Sequence, residues 1–170
     1  IAASGIEADN PKYLDSNGSN INSGKITTFS NFSVISENRL FLAPQGFKEE
    51  FLPLFGCAVL TGGGMAIKYG ESVETKAVCI IGFGGIGSAA ALVLKGMGKL
   101  SVTIIEKSFD KRQVARSLGF EKIYADLSEV TEKFDLVIEA SGTAGAIEDG
   151  FSSLSRTGIL VFASHPEAGA

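Results

Sequence analysis

The sequence predicts an α/β domain built on a doubly wound parallel sheet, with a short strand-containing extension on its N-terminal side. Three observations predict it. From residue 76 onward, short apolar runs alternate with helical stretches, and repeated β-α-β units demand a parallel sheet with right-handed crossovers and helices on both faces. A glycine-rich turn, Gly82-Phe83-Gly84-Gly85-Ile86-Gly87, follows the first of these runs and opens an alanine-rich helix. The composition, 45% hydrophobic and 20% charged over 170 residues, suffices for one sizeable core.

Residues 1–24 are rich in Ser, Asn, Gly and Asp and read as loop or disordered tail, with turn signals at Asn17-Gly18 and Ser23-Gly24. Phe32 to Ile35 and Arg39 to Leu42 read as strands, the second ended by Pro44. Residues 47–69 carry a broad apolar face at helical spacing (Leu52, Leu54, Phe55, Ala58, Val59, Ala66). The run Gly62-Gly63-Gly64 interrupts that face. Each glycine costs a helix about 1 kcal/mol relative to alanine, so the run marks either a break between two helices or a close approach by a ligand or another backbone. Next, Ala77 to Ile81 has the continuous apolarity of a buried parallel strand. Helix is expected over Ile86 to Met97, Lys111 to Leu118, Leu127 to Lys133 and Ile147 to Leu154, and strand over Ser101 to Glu106, Lys122 to Tyr124, Phe134 to Glu139 and Gly158 to Ala163. The expected division is a tail and extension over 1–45 and a nucleotide-binding domain over 46–170.

Charge and cysteine content narrow the function. A formal net charge of −4 gives no electrostatic footprint for nucleic acid or an anionic membrane. No apolar stretch of about 18 residues is present to span a bilayer. Cys57 and Cys79 form neither a disulfide framework nor a closed cysteine zinc cage, and reduced thiols fit a cytoplasmic setting.

The glycine turn carries the chemistry. Gly82 permits the tight turn after the strand, Gly84 lets a pyrophosphate approach the backbone, and Gly87 lets the helix close on the strand. The helix N-terminus offers unpaired N–H groups and the positive end of its dipole to phosphate. Glu106 ends the following strand 19 residues after Gly87. A carboxylate there accepts hydrogen bonds from the ribose hydroxyls of NAD and repels the 2′-phosphate of NADP, so NAD(H) is the expected ligand in preference to NADP(H). Lys107, Lys111 and Arg112 lie close enough in sequence to soften that preference. The Tyr-x-x-x-Lys pair of short-chain dehydrogenases is absent: Tyr13, Tyr69 and Tyr124 are followed four residues on by Asn17, Val73 and Ser128.

Several ordered pieces resemble the cofactor domain of the medium-chain dehydrogenase/reductase superfamily, the zinc-type alcohol and polyol dehydrogenases in particular. They are Phe29 to Val34, Gly56-Cys57-Ala58-Val59-Leu60-Thr61-Gly62, the glycine turn with Glu106, Ala115 to Phe120, and Phe134 to Gly142. The resemblance implies a Rossmann fold and hydride transfer between nicotinamide and an alcohol or carbonyl substrate, with zinc as the Lewis acid in the intact enzyme and homo-oligomeric assembly. It implies roles as well. Cys57 is a catalytic zinc ligand, and Thr61 is the catalytic-site threonine beside the nicotinamide. Ile86 packs behind the ring, and Ser141, Gly142, Ala163, Ser164 and His165 line the nicotinamide half. Gly85 and Lys111 join the cofactor-binding set. On chemistry alone Cys57 reads as a free thiol on a helix, His165 as an ordinary loop residue, and Cys79 as core.

The Gly-His-Glu motif and four-cysteine lobe of zinc-type members are missing, and the chain starts at Ile1 and stops near the fifth strand. The expectation is therefore a fragment that binds little zinc and is inactive alone. Two alternatives remain: a zinc-independent quinone or enoyl reductase, disfavoured by Cys57 and Glu106, and a non-catalytic nucleotide-sensing domain, disfavoured by the segments 25–42 and 57–64.

Overall fold

The computed structural model describes residues 13–14, 16–21, 31–33, 35, 37–71, 75–98 and 101–164. The chain divides between Gln45 and Gly46 into two units. In the first unit, β1 (Tyr13–Leu14) pairs antiparallel with β2 (Asn20–Ile21). The connection contains Asn17-Gly18, with Gly18 at φ 79°. Strand thus occurs within a segment whose composition reads as tail, because a turn residue that accepts positive φ lets the chain fold back on itself. Among the described residues the strands expected further on do not form. Phe32, Ser33 and Ile35 are not in strand conformation, and Val34 lies outside the described residues. Phe32 is 91% exposed and Leu42 is 99% exposed, whereas β-propensity expresses fit to a half-buried pleated surface. Glu37–Arg39 closes a 3-10 turn instead.

In the second unit, the apolar run over 47–69 resolves into a 3-10 turn at Glu49–Phe51, α1 (Leu52–Phe55) and α2 (Ala58–Gly70). The break falls at Gly56-Cys57, and Gly62, Gly63 and Gly64 lie inside α2, so of the two expectations for the glycine run the helix break is wrong and the close approach of another backbone holds. The reason is packing. A Cβ built on Gly62 stands 2.1 Å from the carbonyl oxygen of Ile86, so the helix loses propensity there and gains close contact with its neighbour.

The sheet is parallel with order β5-β4-β3-β6-β7. Its strands are β3 (Ala77–Ile81), β4 (Ser101–Ile105), β5 (Lys122–Tyr124), β6 (Phe134–Glu139) and β7 (Leu154–Phe162). The helices between them are α3 (Gly85–Met97), α4 (Phe109–Ser117) and α5 (Ala144–Ser152). The segment after β5 forms only a 3-10 turn, Leu127–Glu129, stapled by a capping box between Asp126 and Glu129, where a longer helix was expected. The alternation of β3 splits two cores. Val78 and Ile80 face a cluster with Ala66, Ala90, Leu94 and Leu136, and Cys79 and Ile81 face one with Ile105, Val137 and Ala146. This is the doubly wound α/β fold expected from sequence. The winding direction reverses between β3 and β6, and an open α/β sheet binds its ligand at that switch point, outside the carboxyl ends of the strands. Among the described residues no single helix is long and apolar enough to cross a membrane.

Candidate functional site

The C-terminal ends of β3, β4 and β6 surround a cavity of about 310 Å³, within the range of small-molecule sites. Gly82, Gly84, Ile105, Glu106, Lys111, Asp126, Ser141 and Thr143 are on its wall.

The glycine turn is shaped by contacts that leave no room for side chains. Gly82 has φ 91°, and its Cβ would stand 2.9 Å from the backbone of Ser141. At Gly87 a Cβ would stand 1.9 Å from the Gly82 carbonyl oxygen, so helix and turn close on each other. Gly84 differs: nothing lies within 4 Å of its Cβ position. The protein itself leaves space there, and the space is the cavity. Gly84 is the N-cap of α3 and has no side chain to cap it. The amides of the first helical turn have no intrahelical acceptor, so they stand ready for an anionic group.

Glu106 is buried at the end of β4, not a solvated strand end. Its Oε2 accepts from the Phe83 N–H at 2.7 Å and its Oε1 from the Ser108 N–H at 2.8 Å. A carboxylate has about four lone-pair sites, so about two remain for a ligand. Arg112 is occupied elsewhere, donating to the Glu106 and Lys107 carbonyls at 2.6 and 2.7 Å. Lys107 and Lys111 are exposed on the cavity wall.

The remaining expected site residues that are described do not line that cavity. Cys57 is exposed at the N-cap of α2 as a free thiol, and Thr61 is exposed one turn later, its N–H on the Cys57 carbonyl at 2.9 Å. The Cβ position of Gly85 lies 3.3 Å from the Ala58 Cβ, which seats the start of α2 against the glycine turn. Ile86 is half-buried in the first turn of α3. Gly142 has φ 74° and faces Ser164, its Cβ position 3.6 Å from the Ser164 Cβ. Ala163 donates its N–H to the Glu139 carbonyl at 2.9 Å. His165 lies outside the described residues. Asp126 and Thr143, which reach the wall from loops, are not among the sequence-predicted site residues, and Glu139 is predicted only as a strand end. A carboxylate closing an apolar parallel strand before Ser-Gly was the available signal.

Residues 85–170 match the family model of the zinc-binding dehydrogenases. The chain belongs to that family. Among its curated relatives, glucose 1-dehydrogenase 1 of Caldivirga maquilingensis is 34% identical over 88 residues, covering 51% of this chain and 25% of the relative. Among solved structures, benzyl alcohol dehydrogenase from Acinetobacter calcoaceticus superposes with a TM-score of 0.67 at 20% identity, over 75% of this chain and 38% of the other. The CAD of Helicobacter pylori complexed with NADP(H) gives 0.62 at 24%, over 71% and 34%. Both confirm the fold, and the family is the one its motifs resemble. The chain spans a quarter of the length of the Caldivirga relative and 39% of an alcohol dehydrogenase-like protein of Arabidopsis thaliana. As for the metal in the family's name, no group of three or more His, Cys, Asp or Glu is gathered among the described residues. Cys57 alone does not meet the three protein ligands of a catalytic zinc.

Proposed function

We propose that this chain supplies the nicotinamide dinucleotide site of an alcohol or polyol dehydrogenase, with NAD(H) preferred over NADP(H). The observation that carries the reading is Gly84: bare backbone at a helix N-terminus, on the wall of a cavity that the buried Glu106 carboxylate also lines. The α3 amides hold the pyrophosphate. Glu106, pinned by two backbone N–H groups, presents its remaining lone pairs to the adenosine ribose and opposes a 2′-phosphate. Lys107 and Lys111 moderate that opposition. Ser141, Gly142, Ala163 and Ser164, with His165, flank the other nucleoside, and Ile86 and Thr61 border it from α3 and α2. Bound nicotinamide supplies hydride transfer to or from an alcohol or carbonyl substrate.

Zinc dependence belongs to the whole protein in this reading. Cys57 contributes one ligand, and the remaining ligands lie outside the described residues. The 170-residue chain alone binds zinc weakly and turns over no alcohol. The segment 1–45 belongs to the catalytic domain and 46–170 to the cofactor domain. The intact protein is a cytoplasmic homo-oligomer with no nucleic-acid or membrane partner.

Titrating the chain with NADH and NADPH by nicotinamide fluorescence tests the proposal. NADH binding that is tighter than NADPH binding, and is abolished by Gly84→Val, supports it. Binding of neither, or binding indifferent to Gly84→Val, contradicts it.

A further inference from the structure

Glu139 is the one carboxylate among the described residues with no exposed surface. It closes β6 after the apolar residues Val137 and Ile138, in the most buried part of the sheet. Burying a carboxylate is expensive unless its lone pairs are met, and here they are. Oε1 accepts from the Ser141 N–H at 2.7 Å, the Ser141 Oγ at 2.6 Å and the Gly142 N–H at 3.0 Å. Oε2 accepts from the Ser164 hydroxyl. The group therefore ties the loop after β6 to the end of β7. That loop abuts the glycine turn, since a Cβ on Gly82 would stand 2.9 Å from Ser141 N and Cα.

These segments lie on one side of the switch point. The glycine turn and Glu106 belong to β3 and β4, and β6 and β7 lie on the opposite side of β3 from β4. A dinucleotide that spans the crevice, with its pyrophosphate on α3 and one ribose at Glu106, must lay its second nucleoside over the ends of β6 and β7. The cavity wall reaches Ser141 and Thr143 on that side, and Ser141 Oγ also meets Thr143 Oγ1 at 3.0 Å.

We propose that Glu139 is a positioning residue for the nicotinamide ring: without touching it, its carboxylate holds the Ser141–Gly142 loop and Ser164 in the arrangement that receives it. The inference rests on the cofactor reading above and adds a distinct claim, that Glu139 serves one end of the ligand only.

Calorimetric titration of the full chain with NADH and with ADP-ribose, which lacks nicotinamide, separates the two claims. Glu139→Gln keeps the shape and removes the charge that strengthens all four hydrogen bonds. It is expected to weaken NADH about tenfold and leave ADP-ribose within twofold. Ser164→Ala removes one hydroxyl and is expected to weaken NADH about threefold, again sparing ADP-ribose. If Glu139→Gln fails to fold, Ser164→Ala decides alone. Equal losses for both ligands, or no loss for either, overturn the positioning role while the cofactor reading stands. Wild-type protein that binds NADH no tighter than ADP-ribose does the same. Wild-type protein that binds neither overturns both claims.

Discussion

Two neighbouring glycines in α2 have opposite reasons to be there, and substituting each with alanine separates them. At Gly62 the added Cβ meets the Ile86 carbonyl oxygen at 2.1 Å and the Ala90 nitrogen at 3.0 Å. Both are backbone atoms of α3 that cannot rotate away, and the shorter distance is more than 1 Å inside ordinary contact. The helices must part, which opens the seam that buries Ala66, Ala90 and Leu94. Overpacking of this kind costs about 1–3 kcal/mol, with backbone obstacles at the upper end. Removing a helical glycine returns about 1 kcal/mol, so Gly62→Ala is expected to destabilise by about 2 kcal/mol. Gly64 is exposed, with nothing within 4 Å of its Cβ position, so Gly64→Ala keeps the propensity gain and stabilises by about 0.5–1 kcal/mol. For a domain of this size each kcal/mol moves Tm by about 2–4 °C. Thermal melts followed by circular dichroism should therefore show Gly62→Ala lower by roughly 4–8 °C and Gly64→Ala higher by roughly 1–4 °C. Shifts of the same sign, or a Gly62→Ala protein as stable as wild type, would refute a close helix–helix contact as the reason for the glycine run.

Other expectations follow from the same geometry. Glu106→Gln removes the charge opposing a 2′-phosphate, so the ratio of NADPH to NADH dissociation constants should fall several-fold; an unchanged ratio would remove Glu106 from cofactor discrimination. Burial, with the nearby Glu132 charge, pushes the Cys79 thiol up to about 12, whereas Cys57 is exposed. A thiol reagent at pH 8 should therefore take up one equivalent in the folded chain, at Cys57, and a second only on unfolding. Burial raises the Asp135 carboxyl, but the Ala77 and Lys76 amides, the Ser155 hydroxyl and the Lys76 charge outweigh it and hold it below its ordinary value. The folded form thus prefers the ionised state, so this contribution is in place above about pH 4 and is lost as pH falls through the depressed folded value. Asp135→Asn should be less stable than wild type at pH 7, with the gap in urea midpoints closing toward pH 3.

The unit from β3 to β6 was legible because local and long-range signals agree there. Apolar runs, the glycine turn and the strand-end Glu106 each point to one parallel sheet, and the turn's geometry follows from glycines at 82, 84 and 87. What was not legible depended on partners distant in sequence. The glycine run at 62–64 breaks a helix by propensity, and only α3, more than 20 residues on, makes it a contact surface. Phe32 and Phe41 look like strand residues, but strand formation needs a sheet face to lie on. In the candidate site, Glu106 was readable from its spacing, though not its two backbone N–H partners. Glu139 looked like an unremarkable strand end because its partner Ser164 is 25 residues away. Cys57 has the sequence context of a zinc ligand, yet ligation is a property of three or more converging side chains, and α2 brings none of the described ones to it.

The proposed dinucleotide lies across the switch point between β3 and β6. Amide chemical shifts of the ¹⁵N-labelled chain recorded during addition of NADH test this most directly. The prediction is a contiguous set of shifts at Gly84 to Ser88, Glu106 to Lys111 and Ser141 to Thr143, absent in Gly84→Val. Shifts scattered over the surface, or confined to residues away from the glycine turn, would contradict it.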